Sequence, residues 1–169
     1  MTTIPKQRKT LNTTTGAAHA RIWGVGGYRP ERVVTNDEIC EQIDSTDQWI
    51  RERTGMISRR YAALEETVVD MGSAAALEAL KATGLTASQI DAVIVATVTH
   101  PYQTPGAAPM IADRIGATPA AAFDISAACA GYCHGISLAN DMVRGGSAKF
   151  VLVIGVEKLS DFTDRTDRG

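Results

Sequence analysis

Apolar runs and helix-spaced stretches alternate along the chain from Thr67 onward. Asp91 to Thr99, Asp-Ala-Val-Ile-Val-Ala-Thr-Val-Thr, is a run rich in β-branched residues, the pattern of a central strand covered on both faces. Ala120 to Ile125 and Lys149 to Val156 are further apolar runs that predict strands. Thr67 to Thr83 puts Val68, Met71, Ala75, Leu77 and Leu80 on an amphipathic helix with Gly84 as its stop. Ala107 to Ile115 predicts a helix stopped at Gly116, and Gly131 to Val143 another that turns at Gly145, Gly146 and Ser147. His100 to Pro109, with three prolines, must run irregularly. The alternation predicts an α/β domain whose sheet lies buried between helix layers.

Upstream the signals are shorter. Arg21 to Tyr28 alternates like a strand and breaks at glycines. Gly24, Gly26 and Gly27 do not make a dinucleotide fingerprint, because its third glycine would fall at Arg29 and Pro30 follows where a helix should open. Asn36 reads as the N-cap of a short helix ending near Asp44, with Ile39, Cys40 and Ile43 on its inner face, which makes Cys40 core. Ser45 or Thr46 opens a second helix, Asp47 to Thr54, closed by Gly55. Residues 1–19 lack apolar periodicity and read as a mobile tail, leaving residues 20–169 as the folded unit.

Composition narrows the class. The 169 residues are 44% hydrophobic and 21% charged, ordinary for a soluble globular domain. A net charge of −2 with scattered Lys and Arg offers no basic stripe, so no nucleic acid and no anionic membrane is expected as a partner. No stretch is long and apolar enough for a membrane span, and Met1 to Ala20 has no apolar leader core, which predicts a cytoplasmic protein. Cys40, Cys129 and Cys133 cannot all pair with one another and are expected as free thiols.

The candidate chemistry centres on Ala122 to Gly135, where a strand, a cluster of small residues and a helix follow in turn. Cys129 stands at the turn, where a helix N-terminus supplies N–H groups and partial positive charge that favour a thiolate. Ala127, Ala128, Ala130 and Gly131 keep the sulfur approachable by a bulky acyl group. The alternative is a buried, inert core thiol. On the predicted Asp47 to Thr54 helix, Trp49 and Arg53 share a face, and indole with guanidinium can stack a planar base and neutralise a phosphate. A half-buried Trp with its Arg in water is the competing reading. His134 falls roughly 140° round the helix from Cys129, so it is not taken as its base. Cys133 reads as packing, and Cys-x-x-x-Cys-His with no second ligand pair predicts no metal. His100 and His19 carry no assigned role.

Asp-Ile-Ser-Ala-Ala-Cys-Ala-Gly-Tyr, Asp124 to Tyr132, resembles the active-site motif of the β-ketoacyl-acyl carrier protein synthase III family. Trp-Ile-x-x-Arg-Thr-Gly, Trp49 to Gly55, followed by Arg59 and Arg60, resembles the segment with which that family holds the adenine and phosphates of coenzyme A. Asp164 to Gly169 resembles the segment whose final Arg packs on the adenine's other face, with a solvated arginine as the competing reading of Arg168. The resemblance covers roughly Ala20 to Gly169 and implies the first half of a thiolase-like fold, αβαβα-layered when complete. It implies Cys129 as acyl acceptor, with Trp49, Arg53, Thr54 and Arg168 toward coenzyme A. Acyl-CoA enters as substrate and no cofactor is implied. Condensation with malonyl-acyl carrier protein follows, with a His and an Asn from a second half of the fold and a homodimer as the family's assembly. Without that His and Asn, the 169-residue chain alone is expected not to condense efficiently. The loop Tyr102 to Ala107 resembles the one that reaches a neighbouring subunit's acyl pocket, where Thr104 in place of a bulky aromatic implies room for longer or branched primers; an ordinary surface loop residue is the competing reading of Thr104. A polyketide priming synthase or acyltransferase would share these motifs. A non-catalytic half docked on a complementary chain, or a thiol-redox protein with an unusual cysteine spacing, are the readings from other classes.

Overall fold

The computed structural model describes residues 14–167. Its centre is a parallel sheet in the order β4-β3-β5, formed by β3 (Ala92–Ala96), β4 (Ala121–Ile125) and β5 (Val151–Gly155). The register sets Ile94 between Phe123 of β4 and Val153 of β5. All of β3 is buried, as its unbroken apolar run predicts, with Val93, Ile94 and Val95 wholly out of water. Each such side chain contributes about 1.5–3 kcal/mol relative to exposure.

Two helices cover one face and a third the other. On the first, α3 (Val68–Thr83) and α4 (Ala107–Ile115) join Val93 and Val95 in one core cluster with Ile111, Ala108 and Val69. On the second, α5 (Gly131–Gly145) lies so close that a Cβ on Gly135 would stand 2.8 Å from Val153 Cγ1. Thr67 caps α3 reciprocally with Asp70, and Gly84 ends it at φ 71°. Arg114 of α4 also bonds Asp70, so the capping carboxylate ties the two helices together. Hydrogen bonds from Thr67, then Arg114, hold the Asp70 carboxyl below its ordinary range.

An antiparallel pair, β1 (Arg32–Thr35) with β2 (Ser58–Tyr61), forms a separate excursion that encloses α1 (Asn36–Cys40) and α2 (Asp47–Thr54). Asn36, 1% exposed, knots it: its amide donates to Asp47 Oδ1 at 2.7 Å and to the Met56 carbonyl at 2.8 Å, while its oxygen accepts from Arg59 at 2.9 Å.

Four expectations change. Arg21 to Tyr28 is not a strand; Gly26 lets this extended segment lie against α3, where a Cβ would come 2.2 Å from the Ala79 nitrogen. The N-cap of α1 is Thr35, whose hydroxyl accepts from Glu38 N–H, because Asn36 spends its side chain on the buried knot. That helix stops at Cys40 and leaves it only half-buried. The β1–β2 pair has no counterpart in the sequence reading, since two helices separate its four-residue strands and neither alternates cleanly. The expected tail, residues 1–19, lies mostly outside the described residues. Within it, Thr14 donates to the Gly145 carbonyl and Ala17 N–H to that of Val143, placing both against the end of α5.

Ile111→Ala should cost about 2–5 kcal/mol in urea unfolding, because Ile111 is fully buried between helix and sheet. Asp70→Asn should cost under about 1 kcal/mol near pH 7, for a half-exposed cap and ion pair. A carboxyl with a depressed folded-state pKa stabilises above its unfolded value and loses that contribution as pH falls through the folded one. The difference between Asp70→Asn and the parent should therefore close on acidification, read from paired denaturation curves.

Candidate active site

The end of β4 runs into a sharp turn. Ser126 and Ala127 lead to a single 3-10 turn, Ala128–Ala130, from which α5 starts at Gly131. Ala128 adopts φ 44°, a left-handed conformation uncommon for any residue with a Cβ, and it immediately precedes Cys129. The turn rests on β3: a Cβ on Gly131 would lie 3.0 Å from that of Ala96. Beside it, Tyr132 covers Gly155 at the end of β5, its Cδ2 3.1 Å from where a Cβ would stand. Cys129 thus sits over the C-terminal ends of the parallel strands, the end at which open α/β sheets bind ligands.

Cys129 and Cys133 are both exposed in this chain, and Cys40 is half-buried. Burial therefore supports neither the inert-core reading of Cys129 nor the packing role expected of Cys133. No side chain caps the start of α5, so the partial positive charge of the helix end remains next to the Cys129 turn. The chemistry open to such a thiol is attack on an electrophilic carbon, with the helix end favouring the anion.

The loop after β3 is fastened on both sides of this turn. Thr97 N–H donates to the Ile125 carbonyl at 3.2 Å. Glu157, just past β5, accepts from Thr97 Oγ1 at 3.2 Å, Val98 N–H at 3.0 Å and Thr99 Oγ1 at 2.6 Å. At the other end, Asp124 of β4 accepts from the first two N–H groups of α4, Ala107 at 2.7 Å and Ala108 at 2.6 Å. Thr104 stands exposed on this loop. His100 lies 3.2 Å from the Pro105 carbonyl and edge-on to Tyr102, which braces the loop from within. Lys158 is 7% exposed, with its Nζ donating to the Leu64 carbonyl at 3.0 Å and paired with Asp161 at 3.3 Å.

The α2 residues form a different surface. Trp49 is 40% exposed and the Arg53 guanidinium lies 5.9 Å from its ring centre, as their spacing predicts. Thr54 Oγ1 donates to the Ile50 carbonyl and accepts from Met56 N–H, so its hydroxyl finishes the helix. The neighbouring arginines serve the fold: Arg51 pairs with Asp47, Arg59 reaches Asn36, and Arg60 binds the carbonyls of Pro30 and Glu31. The Arg51 and Asn36 hydrogen bonds hold the Asp47 carboxyl below its ordinary range. Arg168 lies outside the described residues, whereas Arg165, three positions before it, stacks on Tyr61 of β2 at 5.4 Å. The C-terminal segment thus returns to the excursion that carries α2.

Asp124, Glu157 and the strained Ala128 were not singled out from sequence. An acidic residue inside the apolar run Ala-Ala-Phe-Asp-Ile was the available signal for Asp124, and a Glu directly after an apolar strand that for Glu157. Nothing local marked Ala128. Among the described residues, no group of three or more His, Cys, Asp or Glu is placed to hold a metal ion, and no helix is long and apolar enough to cross a membrane.

Comparison with known proteins decides the family. The pattern described as 3-oxoacyl-[acyl-carrier-protein (ACP)] synthase III matches residues 123–169. A β-ketoacyl-[acyl-carrier-protein] synthase III of Kocuria rhizophila is 55% identical over 151 residues, covering 89% of this chain and 42% of that protein. One from Streptomyces avermitilis is 59% identical, covering 90% and 43%. This chain belongs to the synthase III family. It matches the family's N-terminal portion and spans about half the length of the curated relatives it matches. Solved synthase III structures carry the same thiolase-like α/β fold. That from Aquifex aeolicus superposes with a TM-score of 0.84 at 41% identity, covering 87% of this chain and 47% of that one. The priming β-ketosynthase of the R1128 polyketide pathway gives 0.90 at 45%, covering 94% and 47%.

Iodoacetamide should label the exposed Cys129 and Cys133 before the half-buried Cys40, as followed by peptide masses over time.

Proposed function

We infer that this chain carries the acyl-accepting half of a β-ketoacyl-acyl carrier protein synthase III-type acyltransferase. The observation that carries the reading is an exposed thiol at the start of an uncapped helix, on a strained turn above the ends of three parallel strands. The Cys129 thiolate attacks the thioester carbonyl of acyl-CoA, a new C–S bond forms at Cys129, and coenzyme A leaves as its thiolate. Exchange of one thioester for another is close to isoenergetic, so a well-placed thiolate needs little further assistance.

Trp49 and Arg53 offer the stacking face and the charge for the nucleotide end of the donor, and Arg168 is proposed for the other face of the base. Thr54 contributes by ending α2 where these side chains project. In the second step malonyl-acyl carrier protein loses CO2, its enolate carbon bonds the acyl carbonyl, and the Cys129 thiolate is released. The developing enolate needs hydrogen-bond donors, which the His and Asn of a second half of the fold supply in this proposal. The resulting enzyme starts fatty-acid chains in the cytoplasm as a homodimer. Likeness to the R1128 priming synthase supports a second reading, in which the same chemistry primes a polyketide.

Incubation with acetyl-CoA or a branched acyl-CoA should add one acyl mass to the peptide that carries Cys129. Trp49→Ala and Arg53→Ala should each raise the half-saturating acyl-CoA concentration by about tenfold, with the maximal rate nearly kept. Thr104→Phe should narrow the accepted chains toward acetyl. Adducts spread over Cys40 and Cys133 as readily as Cys129 would point instead to unspecific thiol chemistry, and no adduct at all to a non-catalytic half.

A further inference from the structure

Two of the protein's three cysteines lie one helical turn apart at the start of α5, and the acyl-transfer chemistry uses only one of them. Past Cys129 the backbone winds right-handed: Ala130 stands at φ −80°, ψ −14° and Gly131 at φ −55°, ψ −44°, where α5 begins. Gly131 and Gly135 are buried against the sheet, since a Cβ on the first would lie 3.0 Å from that of Ala96 and on the second 2.8 Å from Val153 Cγ1. Residues two positions before each are about 200° round the helix. Cys129 and Cys133 therefore turn away from the sheet, and both are exposed. Four residues apart, their Cα atoms are about 6 Å from each other, inside the roughly 4.4–6.8 Å that disulfides span. A helical side chain also leans toward the N-terminus of its helix, which carries Cys133 back over the turn that holds Cys129. Cys40 belongs to α1, in the excursion around β1 and β2.

We propose that Cys129 and Cys133 form a reversible disulfide in response to hydroperoxides, with Cys133 as the thiol that resolves the oxidised Cys129. The link itself is independent of the acyl-transfer reading, and only its consequence for acyl uptake rests on that reading. The Cys129 thiolate attacks one oxygen of the peroxide: an S–O bond forms, the O–O bond breaks, and the sulfur is oxidised by the two electrons that the departing alkoxide or hydroxide gains. The Cys133 thiolate then attacks the Cys129 sulfur, the S–S bond forms, and hydroxide leaves and takes up the proton that Cys133 gave up. Two thiols and one hydroperoxide thereby give a disulfide, one water, and one alcohol or second water. A regular helix keeps Cβ atoms four residues apart at about 5–6 Å, whereas a disulfide brings them to about 3.5–4.5 Å, so the first turn must tighten. This turn is free to do so. Neither the 3-10 turn nor the start of α5 has a side-chain cap, and Gly131 between the two thiols is the residue type with the widest backbone freedom. While the disulfide stands, Cys129 takes no acyl group and is kept from the irreversible sulfinic and sulfonic acids; a dithiol restores it.

The test exposes the folded parent, Cys133→Ser and Cys133→Ala to hydrogen peroxide, alkylates each with iodoacetamide under denaturing conditions, and follows the tryptic peptide 115–144, which holds both thiols and not Cys40. In the parent this peptide should become lighter by two hydrogens and refuse alkylation, and dithiothreitol should return it to the doubly alkylated form. In both Cys133 variants Cys129 should instead gain two or three oxygens that dithiothreitol does not remove, to a level at least about tenfold above the parent at equal exposure. Acetyl uptake from acetyl-CoA, measured on the same samples, should fall as the disulfide forms and recover on its reduction. Irreversible acids at Cys129 in the parent to the same extent as in the variants, a link from Cys129 to Cys40 or to another chain, or two thiols left unoxidised, overturns the proposal. A disulfide in a parent that takes no acetyl group supports the link and overturns the acyl-transfer reading. Acetyl uptake with no disulfide overturns the proposal alone, so the two failures are told apart.

Discussion

The close seating of α5 on the sheet is the constraint from which the candidate site follows. Gly131 and Gly135 bring the helix backbone down onto Ala96, Val153 and Ile94, with no room for side chains between. A helix seated at ordinary distance would lift the turn that precedes it. Here the turn is pressed against the end of β3, and Ala128 takes up the mismatch in a left-handed conformation. The strain is affordable because β3 is buried on both faces and cannot shift without opening the core. Packing of small residues thus becomes the placement of one thiol.

Polar bonds complete what packing begins. The C-terminal ends of β3, β4 and β5 each give rise to a loop, and these loops are tied to one another by Asp124 and Glu157. The Trp49–Arg53 surface on α2 belongs to the excursion around β1 and β2, organised by the buried Asn36 instead. The two surfaces therefore have separate structural supports. A substitution in the Asn36 knot is expected to act on α2 first, and one in the sheet on Cys129 first.

Sequence disclosed the parts whose physics is local. The β-branched run of β3, and Gly84 and Gly116 as helix stops, all act within a few residues, and each stands where its pattern places it. Trp49 and Arg53 meet because helical spacing makes them meet. Long-range partners were hidden. The β1–β2 pair joins strands separated by two helices, and Asn36 reads as an N-cap until Asp47, Met56 and Arg59 arrive around it. The alternation of Arg21 to Tyr28 misled because a strand needs a neighbouring edge, and among the described residues this segment lies against α3 instead. Cys129 itself was found by its small neighbours, yet its exposure could be learned only once the strand ends were assembled.

The central claim is that the Cys129 turn presents a thiol that takes acyl groups from a thioester donor. The most direct measurement is the denaturing intact mass of the protein after incubation with acetyl-CoA, beside Cys129→Ala treated identically. The account predicts a single acetyl increment on the parent and none on Cys129→Ala. An equal increment on both, or none on a folded parent, contradicts it.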